Sequence, residues 1–471
     1  MISPNPLAYA VLAFWPYVVW KLYTRMDAGR ALIWTVVAAY LLLPPLTKFD
    51  LPLIPDLDKD TLPALSALII LVFILREKVS FLPQSWLGRG LLAMFVLAPF
   101  VTVVMNPDAI PIQLAPDIPG MRLYDSFSTV ATQILYILPM VLARRDLATP
   151  QALRDLLKVL VLTGLLYSIP MLLETRISPQ LNRWIYGYFQ HDFSQTIRFG
   201  GYRPVVFTPH GLWLAFYALL CLLAAAVFLR EGPAEARPKQ LAAVLWLAFV
   251  LYACKSFGPA AYAMAGLPLI FLAPPRLQIM VAGLVAMVVI AYPLLRGLHL
   301  VPIWDLLHFV TGINAERAWS LEYRLNNEEL LLARAAERPW FGWGGYARNF
   351  IHDPVTGRAW TVADGHWIIR IGQFGWLGYI AEFGLLCLPL WLLLREAFAR
   401  GAAIPPVVGA VALMLAFNLA DLLPNATIVP LTWLMAGALL GQAEELKRAR
   451  ALRRAEAQVA RVLPAPTRTV I

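Results

Sequence analysis

Apolar stretches of roughly bilayer length recur along this whole chain, and no other feature limits its folding as strongly. A helix that crosses a membrane needs about 20 mostly apolar residues. Such segments occupy 6–23, 29–45, 63–76, 88–106, 126–144, 154–173, 208–229, 240–254, 258–273, 277–295, 367–394, 403–420 and 427–442. Of these, 63–76 and the pair within 240–273 are short for a bilayer. Composition agrees: 60% of the 471 residues are hydrophobic and 14% charged, against about 45–50% and about 25% in soluble domains. The expected fold is all-α, a polytopic membrane protein of about 12–14 transmembrane helices with a large, partly helical outer loop. The first apolar run is long, lacks a basic leader and is followed by many like it, so it reads as a span and not as a cleaved signal.

Lys and Arg sort the connections. Arg25 and Arg30, then Arg76, Lys78 and Arg89, then Arg144, Arg145, Arg154 and Lys158 fall in alternate connections. Arg230, Arg237, Lys239, Arg276, Arg395, Arg400 and the basic tail after 442 continue the pattern. Cytoplasmic loops carry such an excess, which puts these connections and the tail inside and the N-terminus outside. The organisation is then 1–173, N-terminal helices; 174–295, central helices opened by an outer loop at 174–207; 296–366, a large outer loop; 367–442, C-terminal helices; and 443–471, a basic tail suited to an anionic inner leaflet. The net charge of +10 is explained by orientation and does not call for nucleic acid. Cys221, Cys254 and Cys387 form no metal or disulfide pattern.

Two outer loops depart from the charge rule. Residues 174–207 carry Arg176, Arg183, Arg198 and Arg203, and 296–366 carry Arg296, Arg317, Arg324, Arg334, Arg338, Arg348 and Arg358. On one helix over 316–338, Arg317, Arg324, Arg334 and Arg338 fall within an arc of roughly 100°. An anion would relieve their repulsion, since Arg binds phosphate oxygens bidentately. Pro339-Trp340-Phe341-Gly342-Trp343-Gly344-Gly345 ends that helix, and Asp364-Gly365-His366 leads into the next span. A histidine there can accept a proton near neutrality. Gly372, Gly375, Gly378 and Gly384 then suggest a close helix approach or a groove for a lipid tail. Glu382 and Asp421 are acids inside apolar segments, a functional signal by default. Asp56-Leu57-Asp58-Lys59-Asp60 begins like a calcium loop but has Thr61 where glycine is required.

Three of these places together resemble the O-antigen ligase/polymerase family of bacterial membrane proteins. They are Arg198-Phe199-Gly200-Gly201-Tyr202-Arg203 followed by Pro209-His210-Gly211, Arg324 ahead of Pro339-x-x-Gly342-x-Gly344, and His366 ahead of Gly375 and Gly378. Lys255-Ser256-Phe257-Gly258 stands where the family would have a Ser-Arg pair. The resemblance implies a multi-pass protein of the bacterial inner membrane with a periplasmic active-site loop and a cytoplasmic C-terminus. It implies metal-independent glycosyl transfer without a cofactor, from an undecaprenyl-diphosphate-linked glycan to a glycan or lipid-linked acceptor, by a polymerase or a ligase, among other proteins of a polysaccharide assembly pathway. Carried over by position, Arg324 and Arg198 or Arg203 would grip the diphosphate and His366 would activate the acceptor hydroxyl, which makes His366 and Arg324 the expected catalytic residues; the arc over 316–338 adds Arg317 and Arg338 to the expected diphosphate ligands, and His210 and Asp364 are secondary candidates. Two alternatives stand beside it: a flippase or transporter of lipid-linked oligosaccharide, and a transferase using a polyprenyl-phosphate sugar with an outer-loop Asp such as Asp58 as base.

Membrane-impermeant thiol reagents applied to intact cells should label a cysteine placed at Trp360 and not one placed at Arg448; the opposite pattern reverses the orientation.

Overall fold

The computed structural model describes residues 3–51, 54–198, 200–313, 315–399 and 404–462. It is mostly helical, with 71% of residues in helices and 3% in strands. In chain order come α1 (Pro6–Arg25), α2 (Ala28–Leu42), α3 (Leu62–Ile69, continued as π-helix to Ile74), α4 (Trp86–Val104), α5 (Leu123–Asp146), α6 (Pro150–Ile177), the short α7 (Leu181–Tyr186) and α8 (Gly211–Glu231). Then follow α9 (Arg237–Ala253), α10 (Phe257–Leu272), α11 (Pro275–Gly297), α12 (Ile303–Ile313), α13 (Ala315–Ala336), α14 (His366–Ala397), α15 (Pro406–Asp421) and α16 (Pro430–Val462). Every apolar segment read from the sequence coincides with one of these helices. Among the described residues, α4, α5, α6, α8, α11 and α14 are long and apolar enough to cross a membrane, and α2, α3 with its extension, α10 and α15 are shorter apolar helices. The segment 403–420 begins at a residue outside the described set. α16 continues from the last apolar segment into the basic tail, as far as Val462.

Of the six long apolar helices, α8 and α14 are the most deeply buried. α14 packs on α4, α11 and α16, while α8 packs on α6, α9 and α10. The ion pairs group the connections into two sets, the Lys- and Arg-rich set and the rest. Arg30–Asp155, Arg145–Glu77, Arg154–Glu231, Arg144–Glu444 and Arg450–Glu396 tie together connections of the basic set. Lys48–Asp56, Arg296–Glu329 and Arg324–Asp364 lie within the other. No ion pair among the described residues joins the two sets.

The glycines of α14 do not form a lipid groove. A Cβ at Gly384 would sit 2.7 Å from Leu91 of α4, one at Gly372 3.1 Å from Asn349, and one at Gly375 2.3 Å from the carbonyl carbon of Trp340. Protein fills the space the sequence left for a tail. The helix is broken at Gly375, whose φ of 62° and ψ of −164° belong to a region essentially restricted to glycine. The Pro339–Gly344 loop repairs the break. Trp376 N donates to the Pro339 carbonyl (2.8 Å), Trp343 N to the Gly372 carbonyl (2.9 Å) and Gly344 N to the Gln373 carbonyl (2.8 Å). Backbone groups freed inside a span must find such partners. The break therefore docks the end of α13 onto α14 and fixes where the outer loop stands.

Replacing Gly375 with Ala should cost at least about 3 kcal/mol, seen as a lowered unfolding temperature or loss of folded protein in detergent. Gly90→Ala, where a Cβ meets nothing within 4 Å, should gain about 0.5–1 kcal/mol. Equal effects at the two positions would contradict this account of the break.

Candidate functional site

Arg198 lies in β3 (Ile197–Arg198), which pairs with β4 (Gly201–Tyr202), and Arg203 directly follows β4; β1 (Lys48–Phe49) and β2 (Leu57–Asp58) form another small ladder. The turn after Ala253 holds the hairpin in place. Lys255, at φ 51°, donates from Nζ to the Arg198 carbonyl (2.9 Å) and accepts from Arg203 Nη2 at its own carbonyl (3.3 Å). α8 starts at Gly211, later than the apolar run from 208 suggested, because His210 caps it from outside: its Nδ1 accepts the Leu212 N–H at 3.0 Å.

Opposite stands α13, carrying Arg324, whose Nε lies 3.3 Å from Asp364 Oδ2. Asp364 is held at the head of α14 by three hydrogen bonds of its neighbours. Val362 N donates to Asn327 Oδ1 (2.8 Å), and His366 N donates to the carbonyls of Leu422 (2.9 Å) and Asn425 (3.2 Å). A Cβ at Gly365 would lie 2.2 Å from the Leu423 carbonyl, so only glycine allows this approach. Asp421 in turn fixes the 422–427 segment, accepting from Asn425 Nδ2 (3.1 Å) and Thr427 Oγ1 (2.7 Å).

These elements enclose a cavity of about 380 Å³. Its lining contains Arg198, Arg203, Arg324, His191, His210 and Asp364, with Gln190, Gln195, Trp213 and Asn425. Three guanidiniums against one carboxylate give a formal charge of +2. Arg203 is 7% exposed and its buried Nε has no partner. Burial pulls its pKa down to about 10, so it stays charged at neutral pH. The two imidazoles, with centroids 4.4 Å apart, are donors here. His210 Nδ1 is taken by Leu212 N and His191 Nδ1 by Asp192 N, which leaves each neutral ring its proton on Nε2. Burial first, then His191 and the neighbouring arginines, push His210 down to about 3; burial also lowers His191. The cavity thus gathers cationic and neutral N–H donors around one carboxylate, the donor set of an anion site.

Of the residues singled out from the sequence, Arg198, Arg203, Arg324, His210 and Asp364 come together here. Arg338 does not: Nη1 donates to Asn106 Oδ1 (2.9 Å) and to the Met105 carbonyl. Its guanidinium and that of Arg334 lie on the Trp343 ring, 4.3 and 3.3 Å from the centroid. The α13 arc is therefore split, and Arg334 and Arg338 staple the loop instead of binding a ligand. The side chain of Arg317 lies outside the described residues. His366 does not line the cavity. It is buried, with Nε2 2.6 Å from Glu382 Oε1, while Arg370 Nε pairs with Glu382 Oε2 at 2.7 Å. Glu382, an acid inside an apolar segment, therefore has two partners. Asp58 is also elsewhere, its Oδ1 occupied by Asp60 N, Thr61 N and Thr61 Oγ1. His191, Gln190, Gln195 and Asn425 were not found from the sequence. They sit in irregular connections with no periodic or motif spacing, and only their place in outer loops hinted at them.

No protein-family model and no curated protein matches this chain.

Because His210 is harder to protonate in the folded protein than the usual value of about 6.5, the unfolded chain takes the proton first on acidification. Stability linked to this ring is complete above pH 6.5 and falls as pH drops toward about 3. His210→Asn keeps a capping acceptor and should flatten the acid limb of thermal unfolding below pH 6.5. An unchanged limb would show that the ring is not held neutral.

Proposed function

We propose that this protein is a multi-pass membrane glycosyltransferase of the O-antigen ligase/polymerase kind. On this reading it takes a glycan from an undecaprenyl-diphosphate carrier at the outer face of the bacterial inner membrane. The observation that carries the reading is the donor-lined cavity of net charge +2, built from both arginine-bearing outer loops at one end of the helix bundle. A glycan linked through a diphosphate has a good leaving group, so catalysis needs chiefly charge neutralisation and a positioned acceptor.

The chemistry then runs as follows. The diphosphate enters between Arg203 and Arg324 and takes over the guanidinium that Asp364 now holds. His210 and His191 donate from Nε2 to its remaining oxygens. The acceptor hydroxyl attacks the anomeric carbon, and the bond from that carbon to the phosphate oxygen breaks, its electron pair leaving with the diphosphate. The hydroxyl proton passes to the freed Asp364 carboxylate. Asp364 suits this role better than His366 because it is the one carboxylate among the described residues of the cavity, and both cavity imidazoles already carry their proton on the inward nitrogen. His366, locked to Glu382 at 2.6 Å, acts as a positioning residue for the head of α14 that presents Asp364.

The transporter alternative has less support. It calls for paired broken helices in matching halves, and among the described residues only α14 has non-helical backbone within it. An Asp58 base has no support, since its carboxylate closes its own turn outside the cavity.

Arg324→Ala should lower glycan transfer at least about a hundredfold in protein that still inserts and folds. Arg324→Lys should restore little, because a point charge replaces a fork. Asp364→Asn should lower kcat about 10²–10⁴-fold without raising the donor KM, since a competitor for Arg324 is gone. Full activity of Asp364→Asn together with an inactive His366→Ala would return the base role to His366. Full glycan assembly by Arg324→Ala would refute the diphosphate site.

A further inference from the structure

Between Arg203 and His210 the chain forms a strap, 204–209, whose backbone is gripped by buried groups that do not all belong to the cavity. Val205 N and Val206 N both donate to Glu174 Oε2 at 2.8 Å. The other oxygen of Glu174 takes Leu181 N at 3.0 Å. Phe207 N donates to the Tyr167 hydroxyl (3.3 Å), and the Phe207 carbonyl accepts from Lys59 Nζ (2.7 Å). Lys59 Nζ also donates to the carbonyls of Tyr40 (2.9 Å) and Leu43 (3.1 Å) at the end of α2. Gln190 Nε2 reaches the carbonyls of Val206 (2.9 Å) and Thr208 (3.0 Å). Glu174 and Lys59 are 1% and 3% exposed.

Two features make this more than ordinary loop packing. Burying full charges is costly unless every lone pair and proton is used, and here a carboxylate and an ammonium bond only backbone groups and join the strap to other elements, Glu174 to Leu181 and Lys59 to the end of α2. The segment is also held in a conformation it would not choose. Val206 has φ 50°, which is unfavourable for a β-branched residue and persists only where surroundings over-determine it. The strap joins two cavity donors directly, Arg203 at one end and His210 at the other.

We infer that Glu174 and Lys59 are positioning residues of the anion cavity, fixing through the 204–209 strap the places from which Arg203 and His210 reach the ligand. The inference rests on the cavity being a diphosphate site. Neither residue lines it, so neither touches the ligand. The strap lets α6 and the end of α2, which form no wall of the cavity, set the spacing of donors on which a two-phosphate group depends.

The test uses full-length protein in nanodiscs, with undecaprenyl diphosphate lacking a glycan as probe and the fluorescence of cavity-lining Trp213 as one readout. Wild type, Glu174→Gln, Lys59→Met and the milder Tyr167→Phe are compared for probe affinity, for donor and acceptor KM, and for unfolding temperature. Glu174→Gln and Lys59→Met should each weaken the probe about tenfold and raise donor KM in step, with acceptor KM unchanged. Tyr167→Phe, which removes the hydroxyl that accepts from Phe207 N and donates to the Leu41 carbonyl (2.7 Å) but leaves both buried charges in place, should weaken the probe about threefold in the same pattern. Variants that bind the probe as wild type does, or in which donor and acceptor KM rise together with a falling unfolding temperature, overturn the positioning role and leave the diphosphate reading standing. Wild type that does not bind the probe overturns both.

Discussion

Repulsion among Arg198, Arg203 and Arg324 is the interaction around which the cavity end of this molecule is arranged. Three guanidiniums converge on one cavity with a single carboxylate among its lining, and the imidazoles beside them add donors and no negative charge. Like charges in a partly dry site interact far more strongly than in water, and the cost is met by the rest of the fold. Arg203 keeps a buried Nε with no partner; Arg324 borrows Asp364. A site in this condition has unused donor capacity, which the proposed diphosphate would fill.

Holding such a site together requires rigid supports, and the helices provide them through unusual backbone. The break of α14 at Gly375 is repaired by the Pro339–Gly344 loop, which ties α13 and Arg324 to the bundle. Gly365 permits the close approach that delivers Asp364 and Asn425 to the same wall. Lys255 and Val206, both at positive φ, hold the hairpin and the strap that carry Arg198 and Arg203. The segments that carry Arg198, Arg203, Arg324 and Asp364 are thus fixed by strained or glycine-dependent turns locked with hydrogen bonds, against a frame of straight helices.

Much of the frame was legible in the sequence because a membrane span is a long-range compositional signal. The apolar segments all became helices. Part of the site was legible too: Arg198, Arg203, Arg324, His210 and Asp364 were chosen from residue type and place in outer loops. What failed was inference from helical angle. Arg338 shares an arc with Arg324, but the chain turns at Pro339 and delivers Trp343 and the end of α4 to Arg338 first. The glycines of α14 were likewise correct as a sign of close approach and wrong about what approaches. His191, Asn425, Glu174 and Lys59 act through irregular backbone, which leaves no period for a sequence to display.

The central claim is that the cavity receives a lipid-linked diphosphate. The most direct measurement is an experimental density map of the protein in nanodiscs with undecaprenyl diphosphate. The account predicts both phosphates between Arg203 and Arg324, within hydrogen-bond reach of the Nε2 atoms of His210 and His191, and the Arg324–Asp364 pair opened. A headgroup seated elsewhere, with Arg324 still paired to Asp364 and only water in the cavity, would contradict it.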